Sequence, residues 1–173
     1  PAAGLRSGRP LLPFGGGKDS ALLASALADD RPILFTLGTN SYVTRVADAL
    51  GLDLLFGART LDPKILRSRE LGYLNGHVPV TAVNSLISMV LATALGAGSV
   101  VMANERTASL DTIPGINHQY SKSLEFERLL PNALPDRAPE YFSALRPWGD
   151  LAIARAFATR TSIKSTVAVF SAM

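Results

Sequence analysis

The feature that most constrains this chain is a run of three glycines, Gly15-Gly16-Gly17, set between Leu11-Leu12-Pro13-Phe14 and Lys18-Asp19-Ser20. The apolar run before the glycines reads as a short buried strand, with Pro13 tolerable only near its end. After them, residues 19–27 place Leu22, Leu23, Ala26 and Leu27 on one stripe at helical spacing. Residues without Cβ let the backbone take positive φ and come close to a ligand. The helix start that follows presents free N–H groups and about half a positive charge. Strand, glycines and helix together make an anion cradle. Lys18 adds a mobile cation, Ser20 a hydroxyl, and Asp19 a carboxylate able to hold a magnesium ion that bridges phosphates.

The spacing separates this loop from two common phosphate loops. A Walker A loop has four residues between its first glycine and its Gly-Lys pair, which puts Leu12 where that glycine belongs; Lys18 is also followed by Asp rather than Ser or Thr. The dinucleotide pattern fails because Ser20 stands at its third glycine.

The rest of the chain alternates strand and helix signals. Residues 33–37 read as a buried strand, and residues 52–56 and 99–103 as further strands. Residues 41–50 read as a helix, with Asn40 or Ser41 as cap and Gly51 as stop. Asp62-Pro63 opens a helix expected to reach about Leu71. Residues 81–95 are apolar nearly all round, which predicts a buried helix. Residues 104–121 are polar and irregular. Residues 122–130, capped by Ser121, and residues 150–158 read as helices, and residues 166–170 as strand or helix. The expected fold is α/β, a doubly wound, mostly parallel sheet with helices on both faces. Ligands in such sheets bind at the carboxyl ends of the strands. The glycine loop, the Gly38-Thr39-Asn40 turn and the segment starting at Asn104 all fall there, and Asn40 joins the candidate nucleotide contacts.

With 173 residues, 47% apolar and 18% charged, the sequence suits a single domain spanning 1–173 with a sizeable core. Residues 86–95, the longest apolar stretch, are too few to span a bilayer. No apolar segment of signal-peptide type follows Arg6 and Arg9. The expectation is a cytoplasmic protein without a membrane partner. The net charge of +3 comes from scattered Lys and Arg, so no nucleic-acid partner is expected and a phosphorylated small molecule suits the charge as well. The absence of cysteine removes a thiol nucleophile, a thiol acid/base pair and any Cys-ligated zinc or iron–sulfur site.

Three further segments are unusually polar: residues 75–81 (Asn-Gly-His-Val-Pro-Val-Thr), residues 104–109 (Asn-Glu-Arg-Thr-Ala-Ser) and residues 117–127 (Asn-His-Gln-Tyr-Ser-Lys-Ser-Leu-Glu-Phe-Glu). The glycine loop resembles the Ser-Gly-Gly-x-Asp-Ser PP-loop of ATP pyrophosphatases, with Gly15 in the first Ser position. The four motifs in series, from Pro13 to about Ala158, resemble the MurL-type epimerases, which act on UDP-N-acetylmuramoyl-L-alanyl-L-glutamate. What the resemblance implies is ATP- and magnesium-dependent inversion of the terminal L-Glu to D-Glu. Adenylation would remove the carboxylate charge, so that the α-proton can leave and return on the opposite face before water releases AMP; pyrophosphate leaves first. On this reading Gly15, Gly16, Gly17, Lys18, Asp19 and Ser20 hold ATP, and Asp19 also holds Mg2+.

Without thiols, acid/base work would fall to His77, Glu105, His118 or Lys122. Candidate contacts to the UDP-muramoyl dipeptide are Asn75, Arg106, Ser109, Asn117 and Tyr120, with Arg106 able to grip a carboxylate or phosphate bidentately. Each has a blander alternative: the histidines could order their loops, and Glu105 and Arg106 could form a loop ion pair. Glu125 and Glu127 cannot face the same way on a helix, so one of them is expected to be solvated surface. Two other functions remain open on the same residues. One is a PP-loop ligase that forms an amide from an adenylated carboxylate; the other is a nucleotide-binding module without catalysis.

Overall fold

The computed structural model describes residues 8–38, 40–73, 79–111 and 113–159. Five strands form one sheet in the order β3-β2-β1-β4-β5: β1 Leu11–Pro13, β2 Ile33–Leu37, β3 Leu54–Gly57, β4 Ser99–Met102 and β5 Glu140–Ser143. Every neighbouring pair is parallel. The helices are α1 Lys18–Ala26, α2 Ser41–Leu50, α3 Pro63–Leu66, α4 Val80–Leu95, α5 Leu124–Asn132 and α6 Asp150–Thr159.

Period-two alternation along the strands sorts the core into two layers. Leu12, Leu34 and Val101 face one way and pack with Leu22 and Leu23 of α1, Val43 and Val46 of α2, and Ile153 of α6. Leu11, Phe35, Val100, Met102 and Tyr141 face the other way and pack with Met89 and Ala92 of α4 and Leu130 of α5. The chain winds outward from β1 through β2 to β3, then returns to place β4 on the other side of β1. The crevice of the fold therefore opens between β1 and β4, at their carboxyl ends.

Several expected elements come out differently. The helix expected from Asp62 to about Leu71 is a single turn, followed by tighter turns to Gly72. Its cap is in place, since the Asp62 side chain accepts from the Lys64 N–H. Ile65 and Leu66, however, are 58% and 72% exposed, and a short helix without a packed face has little to hold it. α4 is buried along one face only. Ser85, Ser88, Met89 and Ala92 meet the sheet, while Val80, Val83, Leu86, Ile87 and Val90 are exposed.

Small residues on the inner face let α4 lie close to the strands. The Ser85 hydroxyl donates to the Thr81 carbonyl and accepts from the Tyr141 hydroxyl. Burial pushes the Tyr141 phenol above its ordinary range, which keeps it a neutral donor. α5 starts two residues later than expected, because Ser123 rather than Ser121 accepts the helical N–H of Phe126. β5 was not expected from the sequence at all. The element expected at residues 166–170 lies outside the described residues.

α6 docks on α1 through Ile153, which is fully buried, while its neighbour Leu151 is 65% exposed. Ile153→Ala should cost about 2–4 kcal/mol in urea unfolding, from lost burial and the cavity left behind. Leu151→Ala should stay within about 0.5 kcal/mol.

Candidate functional site

The turn from β1 into α1 is tight. Gly16 has φ +74°, and a Cβ there would come within 3.0 Å of the Tyr42 ring. The Tyr42 hydroxyl, from the first turn of α2, donates to the Gly16 carbonyl at 2.9 Å. Gly15 and Gly17 are different: neither needs positive φ, and a Cβ on either would meet no protein atom within 4 Å. One glycine makes the turn, and the other two leave open space above it. α1 then begins at Lys18 with no side-chain cap. Helix geometry leaves its first four N–H groups without an intrahelical carbonyl. The Ser20 hydroxyl donates back to the Gly17 carbonyl at 3.1 Å.

That open space is part of a cavity of about 490 Å3 in the crevice between β1 and β4. Its floor is Pro13, Phe14, Gly15 and Gly17, with Asp19 and Ser20 of α1 beside them. One wall is Phe35, Thr36 and Leu37 of β2 with Arg59 from the loop after β3. The other is Val80, Thr81 and Asn84 of α4, the end of β4 from Met102 to Asn104, and Lys122. Two basic residues, Arg59 and Lys122, thus line the same cavity as the glycine floor. The Asn84 side-chain oxygen is buried and has no hydrogen-bond partner.

Of the residues singled out in the sequence, Gly15, Gly17, Asp19, Ser20 and Lys122 line this cavity. Gly16 lies behind it and shapes the turn. Lys18 turns away from it: its ammonium bonds Asp19 at 2.7 Å and Asp150, at the start of α6, at 2.6 Å. Burial works to lower the Lys18 pKa, but hydrogen bonds to Asp150 and Asp19 outweigh it and raise the value above the ordinary 10.5. Asn40 is exposed and caps α2 by accepting from the Tyr42 N–H.

The residues of the third and fourth motifs serve each other more than the cavity. Glu105 accepts from the Thr107 N–H and from its hydroxyl, capping the turn Arg106–Ser109. Arg106 is exposed, and its N–H donates to the Trp148 carbonyl. The Ser109 hydroxyl accepts from the Leu124 N–H at the start of α5. The Asn117 side chain donates to the Ala108 carbonyl and accepts from the Gln119 N–H. Tyr120 is exposed and meets the Phe126 ring edge-on. His118 is exposed and does not line the cavity. His77 and Asn75 lie outside the described residues.

Of the two glutamates, Glu125 is the exposed one. Glu127 is nearly enclosed and pairs with Arg146 at 2.7 Å. Sequence reasoning missed Thr36, Arg59 and Asn84 as cavity residues, set Thr81 and Asn104 in polar motifs without naming them as contacts, and missed Arg146 and Asp150 as partners of Lys122 and Lys18. Asn84 carried a signal, an amide inside an otherwise apolar helical stretch. Arg59 carried none.

These elements can be set beside known proteins. The family model of the MurL N-terminal domain matches residues 1–144. The chain belongs to the MurL family. A protein of Salinispora tropica named UDP-N-acetyl-alpha-D-muramoyl-L-alanyl-L-glutamate epimerase is 44% identical over 159 residues, which is 87% of this chain and 35% of that protein. Proteins of the same name from a Micromonospora species and from Xanthomonas oryzae pv. oryzae are 43% and 39% identical. The chain thus spans 35–37% of the length of these curated MurL relatives. Among solved structures, the U34-tRNA thiolase NcsA from Methanococcus maripaludis, with its 4Fe–4S cluster, superposes with a TM-score of 0.57. The match covers 98% of this chain and 71% of that one at 9% identity. That likeness is one of fold: a parallel sheet with helices, as expected from the strand–helix alternation.

Gly16→Ala should destabilise the chain by about 1–2 kcal/mol, the cost of a Cβ in the left-handed region. Gly15→Ala should change urea stability by less than about 0.5 kcal/mol, since Gly15 is exposed and a Cβ there meets nothing. Since the Lys18 pKa is raised, its ammonium and the ion pairs it makes persist below 10.5 and are lost only as pH rises through the higher folded value. The spacing between wild-type and Asp150→Asn melting temperatures should therefore hold constant from neutral pH to mildly alkaline pH.

Proposed function

We propose that this chain is the nucleotide-binding part of an ATP-dependent epimerase. The enzyme would adenylate the terminal glutamate of UDP-N-acetylmuramoyl-L-alanyl-L-glutamate, invert its α-carbon, and release AMP and pyrophosphate. The observation that carries the reading is the uncapped start of α1, set behind open glycines on the floor of the cavity. Its family membership, with three relatives named as that epimerase, points to the carboxylate acted on.

The chemistry divides between the two ends of the cavity. At the floor, the amides of the glycine loop and of α1, with the Ser20 hydroxyl, suit the β- and γ-phosphates. That is where charge gathers as pyrophosphate departs, and preset donors there stabilise the transition state more than the ground state. Magnesium suits one or two carboxylates plus phosphate oxygens and water. Asp19 supplies one such carboxylate, and among the described residues no three His, Asp or Glu side chains gather into a protein-only metal site. The metal would then come with the nucleotide, held between Asp19 and the phosphates.

At the other end, Arg59 and Lys122 offer cations to an anionic substrate. Once adenylated, the glutamate carbonyl loses its negative charge, and its α-proton becomes removable by a base. Among the described residues of the cavity wall, the Lys122 ammonium is the candidate to return a proton to the α-carbon as general acid. Glu105 and His118 are placed away from the cavity, so we do not assign them to the chemistry. Lys18, paired with Asp150, is better read as a brace between the glycine loop and α6 than as a direct phosphate ligand.

The test measures AMP and pyrophosphate release from ATP and magnesium in deuterated water, with and without the UDP-muramoyl dipeptide. Expected is substrate-dependent AMP release with deuterium at the glutamate α-carbon. Gly15→Ala, although stable, should weaken magnesium–pyrophosphate binding by about tenfold or more, since its methyl group would enter the proposed phosphate space. AMP release without deuterium would make the chain an activator of carboxylates for ligation. ATP binding with neither product would reduce it to a nucleotide-binding module.

A further inference from the structure

Arg146 belongs to none of the four sequence motifs, yet two of them meet on its guanidinium. It sits in the turn between β5 and α6. Its Nη1 donates to the Glu105 carbonyl at 2.9 Å and to the Ser109 hydroxyl at 3.2 Å. Its Nη2 donates to the Lys122 carbonyl at 2.8 Å and to Glu127 Oε2 at 2.7 Å, with a longer contact to the Ser143 hydroxyl at 3.3 Å. The Arg146 and Glu127 side chains are only 13% and 11% exposed. Glu127 Oε1 accepts in turn from the Ser143 N–H, which fastens α5 to β5.

What lies one bond further on gives this arrangement a role in the site. The Ser143 hydroxyl also accepts from the Asn104 side-chain amide at 3.2 Å. Asn104 and Lys122 both line the cavity. Lys122 is held through its own carbonyl, and Asn104 through Ser143. The Lys122 backbone and, through Ser143, the Asn104 side chain are thus both tied to one guanidinium.

We propose that Arg146 is the positioning residue of this wall, setting where the Lys122 ammonium and the Asn104 amide stand in the cavity. The proposal rests on the reading of the cavity as an ATP site, but its test does not rest on that alone. A guanidinium suits the task because its planar fork reaches separate acceptors from both terminal nitrogens. A lysine ammonium presents all its donors from one point and cannot span Glu105, Lys122 and Glu127 together. Glu127 offsets the buried charge, and removing either partner leaves the other uncompensated.

Amine-reactivity mapping separates this role from simple fastening. Lys122 is labelled with a limiting acylating reagent and compared, by mass spectrometry, with the exposed Lys64 as internal reference. Wild type, Arg146→Lys and Glu127→Gln are measured, along with magnesium–ATP affinity and thermal stability. Both variants should change the Lys122 rate relative to Lys64 by about threefold or more. Both should also weaken ATP binding by about tenfold. In a Lys122→Gln background, Arg146→Lys should add no more than about twofold to the loss of affinity, because most of its effect passes through Lys122.

A lower melting temperature with unchanged Lys122 reactivity and unchanged ATP affinity would overturn the proposal and leave Arg146 as a structural clamp. If Arg146→Lys does not fold, Glu127→Gln, which keeps the side-chain shape, decides alone. If the wild type does not bind ATP, the nucleotide reading fails, while the Lys122 rates still decide whether Arg146 sets that side chain.

Discussion

The site depends on one backbone turn. β1 ends at Pro13 and α1 begins at Lys18, so four residues must reverse the chain's character from strand to helix. Gly16 does this at φ +74°, tucked under the Tyr42 ring and held by the Tyr42 hydroxyl on its carbonyl. The turn aims the N-terminus of α1 at the crevice where the sheet order reverses, between β1 and β4. An uncapped helix end in that place presents N–H groups and a partial positive charge, with Asp19 the acidic side chain of its first turn. The proposed phosphate site rests on that turn.

Around that turn the molecule separates residues that shape the cavity from residues that face it. Gly16, Tyr42, Lys18 and Asp150 belong to the first group: they lock the loop to α2 and to α6. Gly15, Gly17, Asp19 and Ser20 belong to the second. The far wall divides the same way. Glu105, Ser109, Asn117 and Glu127 bond backbone groups, Ser109 and Glu127 bond Arg146 as well, and Asn104 and Lys122 line the cavity. Polar motifs in a loop are thus not all chemistry. A loop that lies off the sheet has its own N–H and carbonyl groups to satisfy, and here most of the motif side chains do that work.

The sequence made the first half of this legible. Consecutive glycines between an apolar run and a helical stripe placed the turn from β1 into α1, and the alternation of runs and stripes led to the parallel sheet. Cap chemistry put the start of α2 at Asn40 or Ser41 and its end at Gly51, and Asn40 is the cap. Tertiary context decided the remainder. β5 was invisible because only Tyr141 and Ser143 of its four residues are buried, too short an alternation to register. α4 looked buried all round because hydropathy cannot say that one face is left open. Lys18 looked like a phosphate ligand because its rival partner, Asp150, is 132 residues away. Arg146 looked like any surface arginine, since nothing local predicts that four separate segments converge on it.

The central claim is that the start of α1 and the open glycines hold the phosphates of ATP. The direct measurement is a crystal structure of the chain with magnesium and α,β-methylene-ATP, which cannot be cleaved at the bond proposed to break. The account predicts β- and γ-phosphate oxygens within hydrogen-bond distance of the amides from Gly15 to Ser20, with the metal between them and Asp19. A nucleotide bound elsewhere, or seated in the cavity with its phosphates turned away from the glycine floor, would contradict it.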